Sequence, residues 1–176
     1  SLYSKVVKDK VTIGWTGTHS TIKYLIPLLS ILKNLEYNYN FEFLVISNHP
    51  PDFSLSSLVY VPWRKNTEIA DLHKIDIGLM PLQEDAWARG KCGFKALQYM
   101  AMKKPALVSP VGVNTQMVQD GVNGYLCDTA TDWQQKLVAL LNDASLREKI
   151  GEEARKTVEQ HYSVKANQNN FLDLFT

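Results

Sequence analysis

Short runs of β-branched and aliphatic residues alternate with segments of helical period along most of this chain, and no other feature limits its fold so strongly. Residues 11–15, 41–47, 58–61, 75–80, 105–109 and 124–127 carry the strand composition. Apolar residues at helical spacing separate them. Ile22, Leu25, Ile26, Leu29 and Leu32 follow Ser20, a candidate cap. Ile69 and Leu72 follow Asn66, a second one. Residues 93–102 and 116–119 predict two more helices. Strands joined through helices pair in parallel, by right-handed crossovers. Near-continuous apolar strands mean that both faces of the sheet are covered. The expected fold is therefore α/β, a doubly wound parallel sheet of about six strands with helices on both faces. Helices from 131 or 132 and from 145 to 162 complete it, with Trp133 expected in the core.

With 176 residues, 45% hydrophobic and 21% charged, the chain suits one domain with a full core. The expected organisation is a linker at 1–10, a domain at 11–162 and an amphipathic helix at 163–176 carrying Phe171, Leu172 and Phe175. A net charge of +1 gives no basic field to recommend nucleic acid. The longest apolar stretch, near Leu25 to Leu32, is interrupted by Pro27 and Ser30. It falls short of the ~20 residues a membrane span needs, so no transmembrane segment is expected. Cys92 and Cys127 lie far apart without CxxC spacing, which argues against a metal site or a disulfide framework. Residues 1–10 have no apolar stretch of signal-peptide type, and the cytoplasm is the expected compartment.

Ligands of open α/β sheets bind beyond the carboxyl ends of the strands. Four loops hold that place: 16–19, 62–66, 81–93 and 110–115. Each carries Gly, Pro or polar residues.

The run from Trp87 to Ala101 includes Arg89-Gly90-Lys91-Cys92-Gly93-Phe94 and ends Gln98-Tyr99-Met100-Ala101. Lys104-Pro105, Ser109-Pro110-Val111-Gly112 and Val118-Gln119-Asp120-Gly121-Val122-Asn123-Gly124-Tyr125-Leu126 follow it. As a set, these residues resemble the donor-site signature of family 4 glycosyltransferases of the GT-B fold, over about residues 11–162. The resemblance implies a Rossmann-like domain, the C-terminal half of a two-domain, retaining, metal-independent enzyme with no cofactor. Its substrate would be a nucleoside-diphosphate sugar, UDP- or GDP-linked, used in polysaccharide or glycoconjugate synthesis. Its partner would be an N-terminal acceptor-binding domain, reached by the C-terminal helix. Peripheral attachment to the inner membrane would come through that other half.

Two departures from the family pattern matter. The signature's paired glutamates fall at Gly90 and Gln98. Gln98 can still bond ribose hydroxyls, without the charge that strengthens such a bond. The family's arginine after the first strand falls at Trp15, and its lysine within 20–23, where Lys23 is available. The resemblance and the loop positions together assign donor diphosphate and sugar to Thr16, Gly17, Thr18, Arg89, Gly90, Lys91, Cys92, Gly93 and Phe94. Ribose goes to Gln98, and the base to Pro62, Trp63 and Arg64. Lys91 and Arg89 are expected to supply the missing positive charge, and the amides at the helix start to cradle phosphate. Lys95 is expected to point elsewhere, into solvent, and His19 to be a surface histidine. No catalytic residue is assigned. A non-catalytic sugar-nucleotide-binding or assembly module and a GT-B sugar-nucleotide epimerase remain as alternatives.

Overall fold

The computed structural model describes residues 10–84, 88 and 90–175. Trp87 and Arg89, singled out above, lie outside the described residues.

Six parallel strands form one sheet: β1 (Val11–Gly17), β2 (Phe41–Ser47), β3 (Leu58–Pro62), β4 (Ile77–Met80), β5 (Ala106–Val108) and β6 (Tyr125–Leu126). Their spatial order is β3-β2-β1-β4-β5-β6. The chain winds outward from β1 to one edge, returns to β4 and winds outward again. β1 and β4 therefore flank the point where the winding reverses, the place where such sheets open a crevice at their carboxyl ends.

Strand side chains alternate between the two faces, and each face is buried. Phe43, Val45, Ile77 and Leu79 pack with Leu25, Leu28, Leu32, Trp133, Leu137 and Leu140 on one side. Leu44, Ile46 and Met80 pack with Leu72, Ala96, Tyr99, Met100 and Met117 on the other. Trp133 is in the core, as its helical spacing predicts.

The helices are α1 (Leu29–Leu35), α2 (Glu68–His73), α3 (Phe94–Ala101), α4 (Asn114–Met117), α5 (Ala130–Asn142), α6 (Ala144–Thr157) and α7 (Val164–Leu172). Several boundaries differ from expectation. The segment after β1 is a 3₁₀ helix, His19–Leu28, before α1 begins. Pro27 lies inside it and has no N–H for an α-helical ladder. Its capping residue is Thr18 rather than Ser20. α2 starts behind Thr67, not Asn66. α5 starts at Ala130, where Thr129 and Asp132 form a reciprocal capping box. α6 stops at Thr157 and passes into a single π turn, Val158–Tyr162. Among the described residues, no helix is long and apolar enough to cross a membrane.

One side chain ties the two halves of the sheet together. β1 and β4 keep register only at Ile13 with Ile77 and Gly14 with Gly78. Beyond that the strands part, and the Tyr99 hydroxyl from α3 fills the gap. It accepts from the Thr16 amide at 3.1 Å and donates to the Leu79 carbonyl at 3.3 Å. Gly78 permits this, because a Cβ there would lie 2.2 Å from the Tyr99 ring. Burial raises the Tyr99 pKa far above the ordinary phenol value, so the hydroxyl remains a donor. Tyr99→Phe leaves two buried backbone groups without this partner and should cost about 2 kcal/mol. Urea unfolding checks it, and an unchanged midpoint would show that the hydroxyl is dispensable.

Candidate donor-binding cleft

A cleft of about 360 Å³ opens at the carboxyl ends of the strands, beside the reversal point. It is lined by Thr16, Gly17, Thr18, Asn48, Trp63, Glu68, Phe94, Lys95 and Gln98. These come from the ends of β1, β2 and β3, from the first turn of α2 and from the first turns of α3. It is not the largest depression: another, of about 480 Å³, lies among Lys10, Thr12, Glu42 and Lys74. That one sits at the amino ends of the strands, away from the expected ligand position.

The floor is set by β1. Trp15 is buried, with its indole folded back under Gly17. A Cβ at Gly17 would come within 2.5 Å of that ring, so the chain end over the tryptophan must be bare. Thr18 and Thr21 close the loop with a pair of backbone-to-hydroxyl bonds, Thr18 N–H to Thr21 Oγ1 at 3.2 Å and Thr21 Oγ1 to the Thr18 carbonyl at 3.0 Å. Asn48 pins this loop to the end of β2: its Oδ1 accepts from the His19 amide at 2.8 Å.

The wall is set by α3. Gly93 caps it with φ +69°, a left-handed conformation that favours glycine, and no side chain caps the helix start. Beyond the backbone strain, a Cβ at Gly93 would meet the Met117 methyl at 2.8 Å. Ala96, Tyr99 and Met100 face the core, while Phe94, Lys95 and Gln98 face the cleft. Gln98 Nε2 donates to Glu68 Oε1 at 3.1 Å, joining α3 to α2 across the cleft.

Three lysines gather where α3 meets the loop after β1. Lys95 Nζ stands over the Trp15 ring, 5.9 Å from its centroid. Lys23 and Lys91 each place Nζ 5.4 Å from the centroid of the Tyr24 ring. Burial holds the Lys95 ammonium below the usual lysine range, and the nearby Lys91 charge pushes the same way. The expectation that Lys95 points into solvent is thus corrected. Lys95 and Gln98 are three apart on one helix and share its face.

Of the residues assigned from sequence, Thr16, Gly17, Thr18, Trp63, Phe94 and Gln98 meet in this single cleft. Gly93 lies behind it, and Lys91 is directed to Tyr24. Gly90 and Cys92 are exposed on the preceding turn. Pro62 and Arg64 are exposed neighbours of Trp63 that do not line the cleft. Sequence reasoning missed Asn48, Glu68 and Lys95. Asn48 directly follows β2, so the carboxyl-end rule already pointed at it. The i, i+3 relation to Gln98 pointed at Lys95. Glu68 had no signal of its own.

The comparisons with known proteins agree with this architecture. The family described as glycosyl transferases group 1 matches residues 10–143. The capsular polysaccharide biosynthesis glycosyltransferase CapM of Staphylococcus aureus is 23% identical over 175 residues, covering 92% of this chain and 44% of CapM. The chain thus spans less than half the length of the curated relatives it matches. Among solved structures, an S. aureus TarM variant in complex with UDP shares the fold at a TM-score of 0.74 and 16% identity, over 98% of this chain and 37% of TarM. The C-terminal domain of the glycosyl transferase group 1 protein LpcC from Francisella tularensis matches at a TM-score of 0.66 and 19% identity, over 88% of this chain and 87% of that domain. A Rossmann-like sheet, its cleft at the winding reversal and a family match over most of the length agree, and the chain belongs to the glycosyl transferases group 1 family.

Proposed function

We propose that this chain is the donor-binding half of a retaining GT-B glycosyltransferase that takes a sugar from a nucleoside-diphosphate sugar. The observation that carries the proposal is the cleft itself. Beside the winding reversal it combines an aromatic side chain, polar side chains, a bare strand end and a lysine. In this reading the base stacks on Trp63, which is 43% exposed and so has a face to offer. The ribose lies against Gln98. The diphosphate crosses the backbone of Thr16, Gly17 and Thr18 toward Lys95 and the uncapped amides at the start of α3. Lys91, whose charge is felt at Lys95, adds to the positive field.

As the glycosidic bond to the donor breaks, negative charge grows on the leaving diphosphate. Fixed amides and ammonium groups lower the energy of that state more than that of the bound donor, which is the requirement for acceleration. Lysines and amides, rather than a metal ion or a cofactor, meet the charge. The acceptor belongs to an N-terminal domain that closes the cleft from above, and transfer needs both halves. The UDP in the TarM structure and the pathway in CapM's name favour a nucleotide-sugar donor and a polysaccharide or glycoconjugate product.

Titration calorimetry with UDP, GDP and ADP tests the proposal. One of the three should bind, and Trp63→Ala should weaken it about tenfold while leaving stability unchanged, since stacking on a base contributes roughly 1–3 kcal/mol. No binding by any of the three would refute the donor-site reading and leave a scaffold role.

A further inference from the structure

We infer that Glu68 supplies the carboxylate that the signature position at Gln98 lacks, and that the two side chains together bind the ribose diol of the donor. The inference rests on the donor-site proposal and adds to it a residue from a different helix. Glu68 lies in the first turn of α2, just beyond the base platform at Trp63, and lines the same cleft as Gln98. Its Oε1 is fixed by the Gln98 Nε2 donor at 3.1 Å. A glutamine can orient a carboxylate in this way, whereas a second glutamate at 98 would repel it. Among the described residues, neither Glu68 Oε2 nor Gln98 Oε1 accepts a side-chain hydrogen bond. The pair thus presents one charged and one neutral acceptor from adjoining helices. Two vicinal hydroxyls are donors of matching number, and a bond to the charged acceptor is the stronger.

The arrangement has a consequence that a mere tether would not have. If Glu68 served only to hold Gln98 or to cap α2, its loss would weaken all nucleotides alike. If its carboxylate accepts from a ribose hydroxyl, its loss removes discrimination against the analogue lacking that hydroxyl. A site built to bond a hydroxyl rejects the deoxy analogue because its own polar group is left unpaired.

The experiment compares UDP, 2′-deoxy-UDP and 3′-deoxy-UDP by titration calorimetry, with the GDP series substituted if GDP binds more tightly. The protein is the unsubstituted chain, Glu68→Ala or Glu68→Gln, and a thermal melt checks the folding of each variant. The unsubstituted chain should prefer the ribonucleotide over at least one deoxy analogue by about tenfold. Glu68→Ala should lower ribonucleotide affinity by about the same factor and bring that ratio close to one. Glu68→Gln, which keeps an acceptor but loses the charge, should fall between them. Unchanged discrimination in Glu68→Ala, or an equal loss for all three nucleotides, would overturn this inference while leaving the donor site standing. Absence of any nucleotide binding in the unsubstituted chain would overturn both.

Discussion

Replacing Lys95 with alanine is expected to weaken nucleoside-diphosphate binding by roughly thirtyfold, about 2 kcal/mol, the scale of a charge-assisted hydrogen bond lost from a partly buried site. The reasoning begins at Trp15. Where the family resemblance leads one to expect an arginine at the end of the first strand, this chain has an indole. The ammonium of Lys95 stands over that indole from the adjoining helix. A lysine held there without an anion is in an unfavourable setting, and the fold lowers its pKa accordingly. A bound diphosphate reverses that effect by favouring the protonated form. Two results should follow. Lys95→Ala should not destabilise the empty protein, because it removes a partly desolvated charge. Affinity for the diphosphate should decline as pH rises through the lowered Lys95 pKa, which lies below the ordinary 10.5. The sign follows from the proton balance: the bound state holds the lysine proton more tightly than the free state, so binding takes up protons on the alkaline side and weakens as they become scarce. Calorimetry across alkaline pH, with Lys95→Ala as the reference, measures both. A variant that binds as tightly as the unsubstituted chain would remove Lys95 from the site.

Gly151→Ala is the substitution expected to harm the fold most for its size. A Cβ at this position in α6 would lie 2.1 Å from the Lys103 carbonyl oxygen and 2.7 Å from its carbonyl carbon. The obstacle is backbone, so no side-chain rotation relieves it. Lys103 itself has φ +59°, a tight turn between α3 and β5 with little latitude to move. Either α6 or that turn must shift, at a cost of about 3 kcal/mol. For a domain of this size that corresponds to a fall in Tm of roughly 6–12 °C. A melt within about 2 °C of the unsubstituted protein would show that the contact yields more easily than the geometry implies.

The sheet was legible in the sequence because its strands are short apolar runs between turn residues, and period-two burial leaves little choice for Phe43, Val45, Leu44 and Ile46. Helix boundaries were less so. Pro27 within an otherwise regular apolar pattern was the sign of the 3₁₀ segment, and its missing N–H outweighed the spacing. In the cleft, residues standing at strand ends were found, since topology alone puts Thr16 to Thr18 and Trp63 there. The placing of Lys95 in the cleft follows from Gln98, its i, i+3 neighbour on the helix surface, and a lysine's usual exposure argues the other way. Glu68 could not have been found, because only the folded chain brings residues thirty apart to 3.1 Å.

α3 has a division of roles around its circumference. Tyr99 sutures the two halves of the sheet on its inner side, and Lys95 and Gln98 face the cleft. On the donor-site proposal, selectivity can therefore be re-lettered at these two cleft-facing positions without loosening the frame. A designer seeking a new nucleotide or sugar preference has a helix whose anchoring and recognising surfaces are separable, so a library confined to 95 and 98 should return folded proteins even where it returns no binders.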